Sequence, residues 1–375
     1  MGKIIPVCEP LLSGNELRYV TEAVSSGWIS SAGKYVTAFE EKFASYCDCK
    51  YGIAVCNGTV ALHLALVSLG IGKGDEVIIP TFTMVASAFA VCYTGATPVF
   101  VDADKQTWNM DVTKIEEKIT PRTKAIMPVH IFGQICDMEP IELLAKKYHL
   151  FIIEDAAEAH GAAYKNKKAG SFSDIASFSF FANKNITTGE GGMLVTNNEA
   201  LNVKAKYYKN VCFPIDGNRN YTHQNIGFNY RMSNIIAAIG LAQVEKADEY
   251  RELRILNNQR YRQYLAKTPG IRMQHIAPEC LSVSWMNGII VEPEYGRTRD
   301  ELMTRLKENG VETRLFFNGM HNQPSLLAYG CNCEQNYPVS DYLTENGFYL
   351  PSGSGLKEDE IQYICNLIDE FRFKQ

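Results

Sequence analysis

Residues 177–192 read SFSFFANKNITTGEGG, and this stretch decides the fold of the 375-residue chain. Lys184 follows an apolar, strand-like run and precedes a polar turn that is rich in glycine. A lysine held at a strand end beside a pocket is partly desolvated, and desolvation lowers the pKa of its amine. An amine that is neutral part of the time can attack a carbonyl group and form a Schiff base. A solvated lysine is the ordinary alternative, and other parts of the chain decide between the two.

Such lysines most often hold pyridoxal phosphate, a cofactor that also needs a carboxylate beside its pyridine nitrogen. Residues 149–161 read HLFIIEDAAEAHG, an apolar run that is typical of a buried parallel strand ending in acids. Ligands of an open α/β sheet bind beyond the carboxyl ends of its strands, where Asp155 would lie. A carboxylate at that point keeps the pyridine nitrogen protonated, which makes the ring an electron sink. The alternative role of Asp155 is to cap the following turn.

The cofactor's phosphate needs hydrogen-bond donors, and residues 55–69 offer them. This segment reads VCNGTVALHLALVSL, a short strand, a polar break and an apolar helix. Gly58 permits close approach of the backbone, Thr59 adds a hydroxyl, and the helix N-terminus supplies N–H groups with a favourable dipole. Ser179, five residues before Lys184, can add a second hydroxyl. An ordinary helix start is the alternative for this turn.

The order of strand-like and helix-sized segments predicts an α/β fold with a mainly parallel sheet flanked by helices. We expect a large domain over residues 1–245, whose N-terminal segment packs with the second domain, and a small α+β domain over residues 246–375. One long amphipathic helix is predicted over Glu245–Ala266 and a closing helix over Asp359–Phe371. The predicted strands are Glu76–Pro80, Thr97–Val101, Ala125–Val129, Leu150–Glu154, Ala176–Phe180 and Gly192–Thr196.

From Ile5 to Phe371 the chain resembles the DegT-type sugar aminotransferase family, whose members are pyridoxal phosphate enzymes of fold type I. The motifs that carry the resemblance are GWISS (27–31), NGTVALH (57–63), NK (183–184), TTGEGGM (187–193) and GFNYRM (227–232). These motifs are long and specific. Some relatives replace the lysine by histidine and are sugar dehydratases, whereas this chain keeps Lys184, which favours aminotransfer.

The resemblance implies a role for each matching residue. Lys184 would be the Schiff-base lysine and proton shuttle, and Asp155 would pair with the pyridine nitrogen. The phosphate would be held by Gly58, Thr59 and Ser179. Glu158 matches a position near the ring hydroxyl of the cofactor, where many relatives carry glutamine. Asn229 matches an asparagine that relatives insert into the phosphate site of the neighbouring subunit, which implies a homodimer with shared active sites.

Other positions depart from the family pattern. Met84 stands where relatives usually place an aromatic ring against the cofactor, and methionine can pack on such a π face. The segments CLSVSW (280–285) and FNGMHNQP (317–324) differ from the relatives in the substrate half of the site. Within them, His321 is a candidate for substrate contact. Arg231 is a candidate for binding the carboxylate of the amino donor, with a structural ion pair as the alternative.

The predicted reaction moves an amino group from L-glutamate to the keto carbon of a nucleotide-linked 4-keto-6-deoxy sugar, for a surface polysaccharide such as a capsule or O-antigen. Three alternatives stay open at this point. The acceptor could be a smaller phosphorylated ketone such as dihydroxyacetone phosphate, giving serinol phosphate. The chain could be a pyridoxal-phosphate-dependent dehydratase, or a regulatory protein that retains a decayed cofactor site.

Composition narrows the class of protein further. A formal net charge of −5 gives no support for an extended surface that binds nucleic acid. The 11 cysteines are scattered, and Cys47-x-Cys49 and Cys331-x-Cys333 lack the usual zinc spacing, so we expect reduced thiols and no metal. No apolar run approaches the roughly 20 residues that a membrane span needs. Since no signal peptide is apparent either, the sequence predicts a cytoplasmic enzyme.

Overall fold

The computed structural model of the protein describes residues 4–214 and 221–372. Within these ranges the strands, numbered along the chain, are β1 (Tyr51–Val55), β2 (Glu76–Pro80), β3 (Thr97–Val101), β4 (Thr123–Ile126), β5 (Phe151–Asp155), β6 (Ala163–Tyr164), β7 (Lys167–Lys168), β8 (Ile175–Ser179), β9 (Gly192–Thr196), β10 (Ile271–Met273), β11 (Cys280–Leu281), β12 (Asn287–Val291), β13 (Arg314–Leu315) and β14 (Gly347–Leu350). The helices are α1 (Glu16–Ser25), α2 (Lys34–Tyr46), α3 (Gly58–Leu69), α4 (Ala86–Tyr93), α5 (Met138–Tyr148), α6 (Glu199–Lys209), α7 (Asn234–Glu245), α8 (Ala247–Leu265), α9 (Arg299–Glu308), α10 (Pro324–Tyr329), α11 (Pro338–Asn346) and α12 (Glu358–Phe371).

The main sheet has seven strands in the order β1-β9-β8-β5-β4-β2-β3. The pairs from β8 to β3 are parallel, and β9 runs antiparallel to both of its neighbours, β1 and β8. Every residue of β2 and of β9 is buried, as expected of strands that helices cover on both faces. The mainly parallel α/β architecture that the sequence predicts is therefore confirmed.

Three of the predicted strands have the predicted bounds, and three are displaced. The strands β2, β3 and β9 are confirmed residue for residue, while β5 and β8 each begin one residue away from the expected start. The prediction of Ala125–Val129 was wrong at both ends, because β4 begins at Thr123 and ends at Ile126. Pro128 has no N–H group to donate, and pairing with β5 resumes beyond it only as an isolated parallel bridge between Val129 and Asp155.

A second, antiparallel sheet of four strands lies in the C-terminal part, in the order β10-β12-β14-β13. The chain's N-terminal segment packs with this part, because the N–H of Ile5 donates to the carbonyl of Gly310 at 2.8 Å. The long helix predicted from Glu245 was wrong at its start: α7 ends at Glu245, Lys246 leaves helical geometry (φ −109°, ψ 7°), and α8 begins at Ala247. The division into domains at residue 245 stays a prediction.

The parallel arrangement brings the carboxyl ends of β2, β4, β5 and β8 to one edge of the main sheet. The turns that follow these ends carry most of the polar residues singled out by the sequence. None of the helices in the described ranges combines the length and the apolar character that crossing a bilayer requires.

Candidate active site

Lys184 lies in the turn that leaves β8, at the edge where the parallel strands end. Its backbone N–H donates to the carbonyl of Phe181 at 2.9 Å, which closes the turn. The neighbouring strand β5 ends at Asp155, and Asp155 pairs in register with Ser177 of β8. The lysine and the carboxylate that the sequence assigns to one cofactor therefore come from the ends of adjacent parallel strands.

The amine of Lys184 is enclosed on two sides. Its Nζ lies 3.9 Å from Oε1 of Glu158 and 3.7 Å from the centroid of the Trp285 ring. The side chain is 10% exposed. Burial lowers the pKa of Lys184, and the carboxyls of Glu158 and Asp155 oppose this effect. The amine thus has the partly desolvated setting that favours a nucleophilic, neutral form.

Glu158 is fixed by the backbone of a strained turn. Its Oε2 accepts a hydrogen bond of 2.7 Å from the N–H of Phe132. Phe132 has a left-handed backbone (φ 54°, ψ 21°), which a bulky side chain adopts only when the surroundings impose it. Burial raises the pKa of Glu158 to about 7, and the amine of Lys184 opposes the rise. The carboxyl therefore exchanges a proton near neutral pH, within reach of the lysine.

Asp155 is buried and receives two hydrogen bonds from the protein. The hydroxyl of Ser87 donates to Oδ2 at 2.7 Å, and the N–H of Ala157 donates to Oδ1 at 3.3 Å. Burial raises the pKa of Asp155, and these donors together with Lys184 act against the rise. Ser87 belongs to the first turn of α4 and lies three residues after Met84, a residue that is 49% exposed. Met84 thus lies near the carboxylate, although its contact with a cofactor ring stays a prediction.

The N-terminus of α3 forms a cradle with the end of β8. The helix begins at Gly58, and the side chain of Asn57 caps it by accepting from the N–H of Val60 at 3.0 Å. A Cβ atom added to Gly58 would lie 2.7 Å from Cβ and 3.0 Å from Oγ of Ser179, so only glycine fits there. The first N–H groups of a helix and a nearby hydroxyl form an anion site, which suits the phosphate of the predicted cofactor.

The arrangement fits pyridoxal phosphate. The close packing of Gly58 on Ser179 leaves backbone N–H groups and a hydroxyl for the phosphate, with the hydroxyl of Thr59 in the same turn. The buried carboxyl of Asp155 suits a protonated pyridine nitrogen. A carboxylate that is removed from water is stabilised by a nearby cation, and the protonated nitrogen would supply one. Lys184 would then face the carbonyl carbon of the cofactor. These assignments of individual residues remain proposals.

Asn229 and Arg231 lie on a segment that pairs with the end of β1, where Arg231 forms a bridge with Val55. The guanidinium of Arg231 donates to Oδ1 of Asn229 at 2.6 Å and to Oδ1 of Asn210 at 2.8 Å. The expected alternative for Arg231, a structural ion pair, is thus replaced by hydrogen bonds to two neutral amides. Asn229 itself is exposed, and no hydrogen bond in the described ranges joins it or Arg231 to Lys184. The N–H of Cys56 donates to the carbonyl of Tyr230 at 3.0 Å, which places this segment beside the chain that leads into the α3 turn, and a role of either residue in the site stays a prediction.

His321 is engaged within the protein at both ring nitrogens. Nδ1 lies 2.7 Å from Oγ1 of Thr81, and Nε2 lies 2.9 Å from Oδ1 of Asp341. The ring also packs against Tyr337, with 4.6 Å between the ring centroids and a tilt of 37° between the planes. A substrate could bind this histidine only by displacing one of these partners, so the predicted substrate contact gains no support from the geometry.

Sequence reasoning missed several residues around Lys184. Trp285 was noted only as part of a divergent segment, yet its ring covers the amine. Phe132 and Ser87, which hold Glu158 and Asp155, were not singled out. Arg254 lies in the helix predicted as amphipathic over Glu245–Ala266 and was not singled out there, yet it is 2% exposed. Its sequence gives no signal of this, because the burial follows from packing between distant segments.

The fold and the site define a pyridoxal-phosphate-dependent aminotransferase. The chain belongs to the DegT/DnrJ/EryC1/StrS aminotransferase family, whose family model matches residues 10–369. It is 46% identical over 367 residues to the GDP-perosamine synthase of Caulobacter vibrioides, covering 98% of each chain. It is 46% identical over 369 residues to the GDP-perosamine synthase of Escherichia coli O157:H7, covering 98% of this chain and 99% of the relative.

Solved structures of sugar aminotransferases have the same fold. The structure of DesI in the presence of its TDP-sugar product superposes with a TM-score of 0.90 at 29% identity, covering 100% of this chain and 94% of the other. The PMP form of the sugar aminotransferase Spr1654 from Streptococcus pneumoniae superposes with a TM-score of 0.91 at 26% identity, covering 98% of both chains. The expected cofactor and reaction class are thereby confirmed.

Proposed function

We propose that the protein transfers the amino group of L-glutamate to the C4 keto group of a GDP-linked 4-keto-6-deoxy sugar. The observation that supports this acceptor is that relatives named GDP-perosamine synthase match 98% of this chain at 41–46% identity. A surface polysaccharide as the destination of the product is supported by a spore coat polysaccharide biosynthesis protein of Bacillus subtilis, which is 34% identical over 377 residues.

Different residues of the chain have different roles in the proposed reaction. Pyridoxal phosphate, when bound, supplies a carbonyl group that takes up the amino group and a ring that withdraws electrons. Lys184 would hold the cofactor covalently, and its Nζ would carry the proton that the reaction moves. Asp155 would keep the pyridine nitrogen protonated. Glu158, 3.9 Å from Nζ, orients the amine and stabilises its protonated form.

The turn between β1 and α3 fixes the other end of the cofactor. Gly58, Thr59 and Ser179 would bind the phosphate through N–H and hydroxyl groups, and Met84 would pack against the ring. These residues would together limit how the cofactor can move relative to Nζ of Lys184. This fixed geometry allows one lysine to serve both halves of the reaction.

Further parts of the proposal concern the setting of the enzyme. We infer a homodimer in which Asn229 of each subunit completes the phosphate site of the other, and Arg231 supports it. The 11 cysteines are free in the structure, which supports activity in a reducing compartment such as the cytoplasm.

The test combines cofactor absorbance with product analysis. The protein is loaded with pyridoxal phosphate, converted with L-glutamate, and then given GDP-4-keto-6-deoxymannose, its dTDP-linked counterpart or dihydroxyacetone phosphate. We expect only the GDP-linked ketone to restore the absorbance of the starting enzyme and to yield an amino sugar by mass spectrometry. Restoration by dihydroxyacetone phosphate alone would assign a different acceptor, and a product lacking nitrogen would indicate a dehydratase.

Substitution of the lysine tests the chemistry itself. We expect Lys184→Ala to abolish amine transfer, because it removes both the covalent anchor and the group that moves the proton. Lys204→Ala, an exposed position on α6, serves as the matched control and should leave turnover unchanged. A Lys184→Ala protein that still turns over would contradict the mechanism.

A further inference from the structure

Helix α8 turns a polar face toward the protein interior. Tyr250, Arg254, Asn257 and Asn258 are all buried on this helix, with exposures of 1%, 2%, 2% and 6%. Burying a guanidinium is costly unless hydrogen bonds satisfy its five donors. The partners of Arg254 therefore indicate what this buried charge does.

The guanidinium of Arg254 binds the backbone on either side of the lysine amine. Its NH1 donates to the carbonyl of Trp285 at 2.6 Å. Its NH2 lies 3.2 Å from the carbonyl of Asn183 and 3.5 Å from that of Lys184. The remaining contacts are Nε to Oγ of Ser354 at 3.1 Å and NH2 to Sγ of Cys8 at 3.3 Å.

Trp285 closes this network around the amine. Its indole N–H donates to the carbonyl of Asn183 at 2.9 Å, the same carbonyl that Arg254 binds. Its ring lies against Nζ of Lys184, with 3.7 Å between Nζ and the ring centroid. One guanidinium thus fixes both the turn that carries the lysine and the ring that covers its amine.

The acceptors are three main-chain carbonyls, a serine hydroxyl and the sulfur of Cys8. Within residues 4–214 and 221–372, no carboxylate lies within ion-pair distance of Arg254. An apolar residue of similar size would fill this position without a buried charge. Packing alone therefore does not explain why a positively charged residue occupies this position.

We propose that Arg254 is the positioning residue of Lys184, holding the lysine turn and the Trp285 ring in the geometry that presents the amine to the cofactor. This inference rests on the proposed function, since it concerns the same lysine. Arg254 does not touch the reacting atoms. It acts through the main chain of Asn183 and Lys184 and through the carbonyl of Trp285.

The charge of Arg254 also bears on the protonation of the amine. The groups that face Lys184 are the carboxyls of Glu158 and Asp155, the thiol of Cys8 and the guanidinium of Arg254. The two carboxyls favour the protonated amine, and Arg254 adds to the burial that lowers the pKa of Lys184. The buried ring of His160 is electrostatically coupled to Lys184, and burial lowers the pKa of His160 to about 3, which leaves it neutral.

The experiment compares Arg254→Met and Arg254→Lys with the wild type. Met removes the charge and the hydrogen bonds, whereas Lys keeps the charge and loses the fork of the guanidinium. Arg260→Met is the control, because Arg260 lies on the same helix and pairs with Glu358 at the surface. The first readout is the pH at which Lys184 of the cofactor-free protein reacts with an amine-selective reagent, followed by mass spectrometry of its peptide. The second is kcat and KM for L-glutamate.

We expect Arg254→Met to shift the reactivity of Lys184 to higher pH and to lower kcat by roughly 10- to 100-fold, as misplacement of a reacting group does. Arg254→Lys should keep the pH profile of the wild type and lose kcat to a smaller extent. KM should change little in both, since neither variant alters a group that touches the donor.

The outcomes separate this inference from the proposed function. If both Arg254 variants keep the wild-type pH profile and kcat, the positioning role is overturned while the proposed function stands. If Lys184 of the wild type does not react and no amine is transferred, the proposed function itself fails. Should Arg254→Met not fold, Arg254→Lys still decides, because an unchanged kcat in that variant contradicts the need for the guanidinium fork.

Discussion

At the scale of single residues, Glu158 links the stability of the site to pH. Burial raises the pKa of its carboxyl to about 7, well above that of an unfolded chain. The folded protein therefore binds this proton more tightly than the unfolded chain does. By linkage, the contribution to stability is complete below the unfolded pKa of about 4.3 and is lost as the pH rises through the folded pKa.

Glu158→Gln should remove this pH dependence, because the amide cannot ionise and keeps an oxygen for the N–H of Phe132. We expect the cofactor-free variant to be more stable than the wild type above pH 7, by up to roughly 3 kcal/mol. Near pH 4 the two should be alike. Thermal unfolding at pH 5 and pH 8.5 measures the difference, with the exposed Glu334→Gln as a control. If the variant and the wild type differ in stability by the same amount at pH 5 and at pH 8.5, the raised pKa of Glu158 is contradicted.

The positions of Lys184 and Asp155 were predictable because each follows an apolar strand, and parallel strands end at one edge of a sheet. The residues that enclose them were not predictable in this way. Trp285 and Arg254 lie about 70 to 100 residues further along the chain, and long-range packing brings them to the lysine. Hydrogen bonds between side chains and main-chain carbonyls leave no pattern in the sequence, since any residue supplies the carbonyl.

At the scale of elements, the turn into α3 depends on contact between two secondary structures. Gly58 at the helix start packs on Ser179 at the end of β8, with no room for a Cβ atom. The same turn is packed from β9, where a Cβ atom added to Gly192 would overlap the carbonyl of Asn57. The cradle is thus formed by the helix and two strands together rather than by the loop alone.

Gly58→Ala should weaken the binding of pyridoxal phosphate by roughly 10- to 100-fold, because the new methyl group displaces Ser179 or the helix N-terminus from the phosphate. Equilibrium titration with the cofactor measures the loss. Gly72→Ala is the control, since its added Cβ would lie 3.6 Å from the carbonyl of Thr94, an ordinary contact. The double variant Gly58→Ala, Ser179→Gly should recover part of the affinity. If Gly58→Ala alone binds like the wild type, the phosphate lies elsewhere.

The pattern of apolar residues predicted some secondary-structure elements and could not predict others. The strands β2, β3 and β9 were predicted with their bounds because the sheet buries them and turn residues flank them. The reversed direction of β9 was not predictable, since a strand buried on both faces reads alike in either direction. The break between α7 and α8 was missed because Glu245–Ala266 continues the amphipathic pattern through Lys246, where only the backbone geometry changes.

At the scale of the whole molecule, the segment around Asn229 has the character of a subunit interface. Ile226 is 89% exposed and Tyr221 is 77% exposed, and large apolar side chains at a surface often mark an association site. Asn229 is exposed nearby, with its Oδ1 held by Arg231. Within the described ranges no hydrogen bond uses its Nδ2, so this amide nitrogen keeps its capacity to donate.

A shared site predicts complementation between two defective subunits. Lys184→Ala lacks the anchor, and Asn229→Ala lacks the group donated to the partner, so each homodimer should be impaired. A mixed dimer has one complete site, formed by Lys184 of one subunit and Asn229 of the other. After unfolding and refolding of an equal mixture, random pairing makes half of the dimers mixed, and we expect about a quarter of the wild-type activity.

The measurement is the initial rate of amine transfer before and after joint refolding, with each variant refolded alone as the control. Joint refolding of Lys184→Ala with Lys204→Ala provides the calibration, because that mixture regains activity whether or not the site is shared. If the mixture of Lys184→Ala and Asn229→Ala shows only the sum of the separate rates, each subunit carries a complete site. Asn229 would then act within its own chain, where Arg231 donates to it and itself forms an isolated bridge with Val55.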